Sequence, residues 1–305
     1  RRRPLVDWGM DVLLPPDVLM QKQDVGRASR RFMHWAASIG QPVRFMEEEK
    51  YMTLLSVHQI QKTFQSHGGH LAVDKVSFSV EEGACFGLVG ESGCGKSTTA
   101  AIISSLLAPD SGTVTFLGRS QSKRLKPWGC EMQMIFQNSQ SSFDPRDTVI
   151  QAVTQGARAY HLYGKNELKE RAMDLFSYVG LKESYAQRKV RSLSGGECQR
   201  AAIARALMVE PKLLICDEAT SALDVTTQAQ IVRQMMELRE QYNTGVILVT
   251  HNLGVAAYMA DKILVMKQGQ VVDAGSREKI LNNPSSDYTR RLLDSVPAIG
   301  GERFV

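Results

Sequence analysis

From residue 51 onward, short apolar runs of strand length alternate with longer amphipathic stretches. LLSVHQI (54–60) and AVDKVSFSV (72–80) read as strands, the second alternating Val73, Val76, Phe78 and Val80 imperfectly with polar neighbours. ACFGLVG (84–90) reads as a short buried strand ending in a glycine loop, with a helix expected over about 96–107. MQMIF, KLLIC, GVILVT and KILVM are further apolar runs of strand length, and helical patterns separate several of them. Such alternation predicts an α/β domain with a mostly parallel central sheet. Residues 138–211 carry no strand signal but several helical ones, including NELKERAMDLFSYVG, where Leu168, Ala172, Leu175, Phe176 and Val179 share a face. They read as an inserted α-helical subdomain. No internal repeat is present, so the chain holds one such unit rather than a tandem pair.

GESGCGKST (Gly90, Glu91, Ser92, Gly93, Cys94, Gly95, Lys96, Ser97, Thr98) fits G-x-x-x-x-G-K-[ST] between a strand and a helix. Glycines let successive backbone N–H groups face phosphate oxygens, the helix N-terminus adds its positive end, and Lys96 supplies a point charge. Ser97 is placed to ligate Mg²⁺. A plain glycine turn explains the glycines but not Lys96 and Ser97 together. In KLLICDEAT, Asp217 and Glu218 follow a buried run, where a carboxylate needs a partner. Mg²⁺ serves Asp217, and Glu218 then polarises an attacking water, a role that demands position more than basicity. His251 after GVILVT and Gln137 after MQMIF fall at strand ends, where open α/β sheets bind ligands. A histidine there is more often structural, and a glutamine caps a turn as readily as it senses Mg²⁺ or water.

RSLSGGECQR (191–200) supplies a second serine–glycine turn at a helix start, about a hundred residues beyond the first. Ser194, Gly195, Gly196 and the helix opening near Glu197 form another anion site, and the same residues also cap a helix. Taken together these elements resemble the ATP-binding cassette ATPases, over about residues 53–296. The resemblance implies a P-loop nucleoside triphosphatase core, an N-terminal antiparallel β subdomain, ATP and Mg²⁺ as cofactors, and two cassettes facing head to tail. Ser194 and the glycines of one signature then bind the γ-phosphate held by the other cassette. It further implies that Phe64 stacks on adenine, that Gln137 forms the Q-loop, that Ser221 to Asp224 cross the dimer interface, and that His251 is the switch histidine. Asn252 stands where an aspartate is frequent, so tuning rather than inactivation is expected.

FQNSQSSFDPRDTV (136–149) and DYTRRLLDSVP (287–297) resemble segments of the ATPases of peptide and nickel importers. Phe143, Asp144 and Gln140 depart from that pattern, at positions that bear on the surface meeting the membrane partner. The implied partners are a second ATPase subunit, in a heterodimer or a homodimer, a transmembrane permease, and indirectly an extracytoplasmic substrate-binding protein. The implied location is the cytoplasmic face of the membrane. A soluble cassette ATPase acting on nucleic acid or ribosomes is the alternative, although the tandem cassettes or long coiled-coil insertion usual there are missing.

Composition changes this picture little. The chain has 305 residues, 43% hydrophobic and 23% charged, with a net charge of +5 and no apolar run long enough to span a membrane. No basic block implies nucleic acid. The five cysteines Cys85, Cys94, Cys130, Cys198 and Cys216 form no C-x-x-C pair and read as small buried hydrophobes in a reducing compartment. None follows Cys216, so no iron–sulfur cluster is expected. Residues 1–50 hold nine Lys/Arg and seven Asp/Glu without sustained periodicity and read as an appendage of uncertain order, residues 51–296 as the nucleotide-binding domain, and 297–305 as a short tail.

Overall fold

The computed structural model describes residues 53–65, 69–121, 128–218, 232–233, 235–237, 239 and 241–295. The expected appendage at 1–50, the interface segment with Ser221 and Asp224, and the tail lie outside the described residues. Strands β1 (Thr53–Phe64), β2 (His70–Glu81), β4 (Ser111–Phe116) and β5 (Arg119–Ser120) make an antiparallel sheet in the order β2-β1-β4-β5. The second sheet runs β10-β9-β3-β8-β7-β6. It contains β3 (Cys85–Val89), β6 (Met132–Ile135), β7 (Leu213–Asp217), β8 (Gly245–Thr250), β9 (Lys262–Lys267) and β10 (Gln270–Ser276). Its pairs are parallel except β10 with β9.

The continuous apolar runs of β3, β7, β8 and β9 follow from burial on both faces. On β8, Val246 and Leu248 enter the core on one side while Ile247 and Val249 enter the core on the other. Leu214 and Cys216 against Leu213 and Ile215 repeat this on β7, as do Ile263 and Val265 against Leu264 and Met266 on β9. A period of two with both faces dry leaves no position for a polar residue. One face packs on the antiparallel sheet, where Phe78 of β2 stacks on Phe86 of β3 with ring centroids 4.5 Å apart. The other face packs on helices.

Helix α1 (Lys96–Ile103) follows the glycine loop and stops short of the expected 107. The shortening has a local cause. Ser105 turns left-handed at φ 61°, the Leu106 amide returns to the Ala101 carbonyl at 2.9 Å, and the Trp128 indole takes the Ile103 carbonyl at 2.7 Å. The helix carbonyls therefore find partners that a further turn would have displaced.

Helices α2 (Val149–Ala159), α3 (Lys165–Val179) and α4 (Gly195–Leu207) form a helical unit between β6 and β7. Thr148 opens α2 with a capping box to Gln151, and Gly180, at φ 73°, closes α3. On α3 the apolar face buries Ala172, Phe176 and Val179, while Leu168 and Leu175 are half-buried. Arg205 of α4 donates to the Ser142 carbonyl at 2.6 Å and lies 4.2 Å over the Phe143 ring. The Ser139 hydroxyl bonds the buried Gln199 of the same helix. These contacts tie α4 to the segment that follows Gln137. Short helices α5 (Leu253–Met259), α6 (Arg277–Asn282) and α7 (Asp287–Asp294) accompany the last strands, and the described residues within 232–242 are helical as well.

Candidate active site

Four neighbouring parallel strands deliver the site from their carboxyl ends: β3 leads into the glycine loop, β8 into His251, β7 into Glu218 and β6 into Gln137. Their side chains converge because parallel strands in register end at one edge of the sheet. Gly95 sits at φ 105° and a Cβ there would meet the Ala72 carbonyl oxygen at 2.1 Å, so the loop lies directly on the backbone of β2. Gly93, at φ 81°, has no atom within 4 Å of a would-be Cβ and lines the pocket.

Lys96 is buried, and its ammonium donates to the carbonyls of Gly90 and Glu91 at 2.7 and 2.8 Å. The Ser97 hydroxyl donates to Asp217 Oδ1 at 3.0 Å. Burial pushes the Asp217 carboxyl up and the Glu218 charge adds to that, while Ser97 and Lys96 oppose it. A carboxylate so placed is relieved by a cation, and Ser97 Oγ with Asp217 Oδ1 offers the hard oxygen pair that Mg²⁺ takes. The residues present fit that ion.

Glu218 follows β7 in a left-handed conformation, φ 47°, its amide still bonded to the Val249 carbonyl at 2.9 Å. Both carboxylate oxygens have partners: Gln137 Nε2 donates to Oε2 at 2.7 Å, and His251 Nδ1 lies 3.1 Å from Oε1. In this arrangement the Gln137 amide serves the carboxylate. A pocket of about 460 Å³ opens over the loop, lined by Phe64, His70, Ala72, Ser92, Gly93, Gly95, Lys96, Ser97, Thr98, Gln137 and Glu218. That volume lies in the range of small-molecule sites, about 300–1,000 Å³. The ring of Phe64 is partly exposed at its wall. Nothing in the sequence marks His70 and Ala72 beyond their place at the start of β2, where His70 pairs with Phe64.

Ser194 and Glu197 form a reciprocal capping box: Ser194 Oγ accepts from the Glu197 amide at 3.3 Å, and Glu197 Oε2 accepts from the Ser194 amide at 2.8 Å. That second bond, first among its causes, holds the Glu197 carboxyl below the usual range. Gly195 has open space around a would-be Cβ, so the start of α4 presents bare backbone. Asn252 caps α5, its Oδ1 accepting from the amides of Gly254 and Val255 at 2.9 and 3.3 Å. An aspartate would make the same bonds. Burial pushes the thiols of Cys85, Cys94, Cys198 and Cys216 up, away from the thiolate form. Among the described residues no group of three or more His, Cys, Asp and Glu is arranged to hold a metal by itself.

The strand, glycine loop and helix, with Ser97, Asp217 and Glu218 gathered at one sheet edge, define a nucleoside triphosphatase of the P-loop class. A family profile described as ABC transporter matches residues 73–221. Over 232 residues the chain is 40% identical to the oligopeptide transport ATP-binding protein OppF of Escherichia coli (strain K12), covering 74% of this chain and 69% of that protein. It is 36% identical over 258 residues to the oligopeptide transport ATP-binding protein AppF of Bacillus subtilis (strain 168), covering 80% of this chain and 78% of that protein. The solved dimeric structure of the ATP-binding cassette MJ0796 bound to ADP and Pi superposes with a TM-score of 0.67 at 28% identity, over 73% of this chain and 98% of that one. The chain belongs to the ABC transporter family, and it is an ATPase whose hydrolysis is coupled to transport.

Proposed function

We propose that the chain powers the import of oligopeptides or dipeptides through a separate transmembrane permease, at the cytoplasmic face of the membrane. The named relatives support peptides as cargo: OppF of Escherichia coli, AppF of Bacillus subtilis and the di/tripeptide transport protein DppF of Pseudomonas aeruginosa are peptide transport proteins. None of them favours nickel, or an ATPase acting on nucleic acid or ribosomes. No helix among the described residues is long and apolar enough to cross a membrane, which fits a peripheral subunit.

The observation that carries the mechanism is the Glu218 carboxylate held by Gln137 and His251 at the rim of the phosphate-loop pocket. Phe64 packs on the base, the loop amides and Lys96 take the β- and γ-phosphates, and Ser97 and Asp217 would hold Mg²⁺, with the Gln137 side-chain oxygen as a further ligand while its amide nitrogen serves Glu218. When bound, that ion neutralises phosphate charge. Glu218 orients a water toward the γ-phosphorus, accepting a hydrogen bond from it, and His251 fixes the carboxylate from the other side. Ser194, Gly195 and Gly196 act on the nucleotide of the opposite cassette, since one chain has no use for two phosphate sites on one nucleotide. Asp224 and its neighbours belong to that same interface. Closure of the pair is passed to the permease by the helical unit of α2, α3 and α4, which Arg205 and Gln199 join to the Gln137 segment.

Glu218→Gln preserves shape and lowers hydrolysis about 10²- to 10⁴-fold while sparing ATP affinity. Light scattering on that variant with ATP and Mg²⁺ tests the partner. A monomer-to-dimer shift means that two copies of this chain form the sandwich, whereas a monomer with nucleotide bound means that a different ATPase subunit completes a heterodimer. Undiminished turnover in Glu218→Gln sinks the assigned role.

A further inference from the structure

Helix α7 belongs to the stretch DYTRRLLDSVP, for which the mechanism above has no use. Its start is fixed in place. The Ser286 hydroxyl accepts from the Tyr288 amide at 3.2 Å, and Asp273 of β10 accepts from the amides of Ser285 and Ser286 at 2.7 and 3.1 Å. Thr289 is fully buried. This anchoring turns Tyr288 inward, where it is 6% exposed, and the Lys267 ammonium lies 5.1 Å from its ring centroid.

The Tyr288 hydroxyl accepts from the backbone N–H of Glu91 at 3.2 Å. Glu91 is the second residue of the glycine loop. The peptide plane joining Gly90 to Glu91 is therefore held on both edges, its N–H by Tyr288 and its carbonyl by Lys96 at 2.7 Å. Lys96 bonds the Glu91 carbonyl as well, at 2.8 Å. Gly90 leaves no slack on its other side, since a Cβ there would meet the Met266 carbonyl oxygen at 2.3 Å and Cys94 Sγ at 2.7 Å. A plane pinned at both polar groups cannot rotate without losing two hydrogen bonds.

We propose that Tyr288 is a positioning residue for the nucleotide: by fixing the Gly90–Glu91 peptide plane, and through it the Lys96 ammonium, the C-terminal helix sets the affinity of the loop for the triphosphate. The proposal rests on reading residues 90–98 as the phosphate loop. It gives the C-terminal segment a role in nucleotide binding, reached through the loop backbone and not through contact with the nucleotide.

Tyr288→Phe removes the hydroxyl and keeps the ring, its burial and its contact with Lys267. In the full chain assembled with its partners, the KM for ATP rises about two- to tenfold, the scale of one lost hydrogen bond, while kcat stays within about twofold and the Tm of the nucleotide-free protein within about 2 °C. Amide hydrogen exchange over residues 90–95 accelerates in the same variant. Lys96→Ala serves as the control and abolishes ATP binding. Unchanged KM and exchange in Tyr288→Phe, beside a Lys96→Ala variant that no longer binds, overturns the proposal and leaves the loop assignment standing. Undiminished binding by Lys96→Ala overturns both. A large fall in Tm with kcat and KM altered together marks Tyr288 as merely structural and overturns the proposal.

Discussion

Replacing Gly95 by alanine separates two demands that the loop glycines meet. Gly95 has φ 105°, and an added Cβ would lie 2.1 Å from the Ala72 carbonyl oxygen and 3.3 Å from Met266 Cε. The carbonyl belongs to β2 and cannot swing aside like a side chain, so loop and strand must part by at least about 1 Å to reach an ordinary carbon–oxygen contact. The left-handed backbone costs about 1–2 kcal/mol for an L-residue, and forced overpacking about 1–3 kcal/mol more. Gly95→Ala therefore loses about 2–5 kcal/mol, a large part of a total of about 5–15 kcal/mol. Gly93 is the control: at φ 81° with nothing within 4 Å, its alanine variant pays only the backbone term of about 1–2 kcal/mol. Because Gly93 lines the pocket, its methyl intrudes on the phosphates and costs affinity instead. Urea denaturation of both variants, paired with ATP titration, reads the two effects separately. Gly95→Ala within about 0.5 kcal/mol of the parent, or Gly93→Ala as destabilised as Gly95→Ala, refutes the steric argument.

Other perturbations follow from single contacts. Asn252→Ala loses the cap of α5 and about 1 kcal/mol, whereas Asn252→Asp keeps the bonds and gains a few tenths at a helix start, with ATPase within about twofold; a large loss of turnover in Asn252→Asp would contradict this. Burial raises the Asp273 carboxyl, but the amides of Ser285 and Ser286 and the charge of Lys279 outweigh it and hold it below the usual range. A depressed folded pKa gives stability that is complete above the unfolded value near about 4 and is lost as pH falls from there toward the folded value. Denaturation from pH 6 to 2 therefore shows a shallower acid limb in Asp273→Asn. Ser194→Ala opens the capping box of α4 for about 0.5–2 kcal/mol and leaves ATP binding by the isolated chain unchanged while weakening ATP-driven association, seen by light scattering.

The strands buried on both faces were legible because continuous apolar runs such as GVILVT have few other destinations. β4 (SGTVTF) and β10 (QVVDAGS) were not. Most of their positions are exposed or half-buried, β10 lies at the edge of its sheet, and neither sustains a regular alternation of apolar and polar residues from end to end. The early end of α1 depended on Trp128, distant in sequence, taking the Ile103 carbonyl, a contact that no local pattern reports. At the site, residue types and spacing pointed to Lys96, Ser97, Asp217, Glu218, Gln137 and His251, and the structure brings them to one sheet edge. What spacing could not convey is pairing: that Gln137 and His251 take separate oxygens of Glu218, or that Tyr288 reaches the loop from the far end of the chain.

Glu218 stands in a left-handed conformation that glycine or asparagine would occupy with less strain. Folding and turnover consequently pull this position in opposite directions. Variants selected only for resistance to denaturation should drift toward Gly or Asn at 218 and go silent as motors, while selection on transport should restore the carboxylate at the expense of about 1 kcal/mol of stability. Of the described non-glycine residues in this left-handed conformation, Glu218 is the one that lines the phosphate-loop pocket, so the role proposed for it and the stability of the fold meet at a single position.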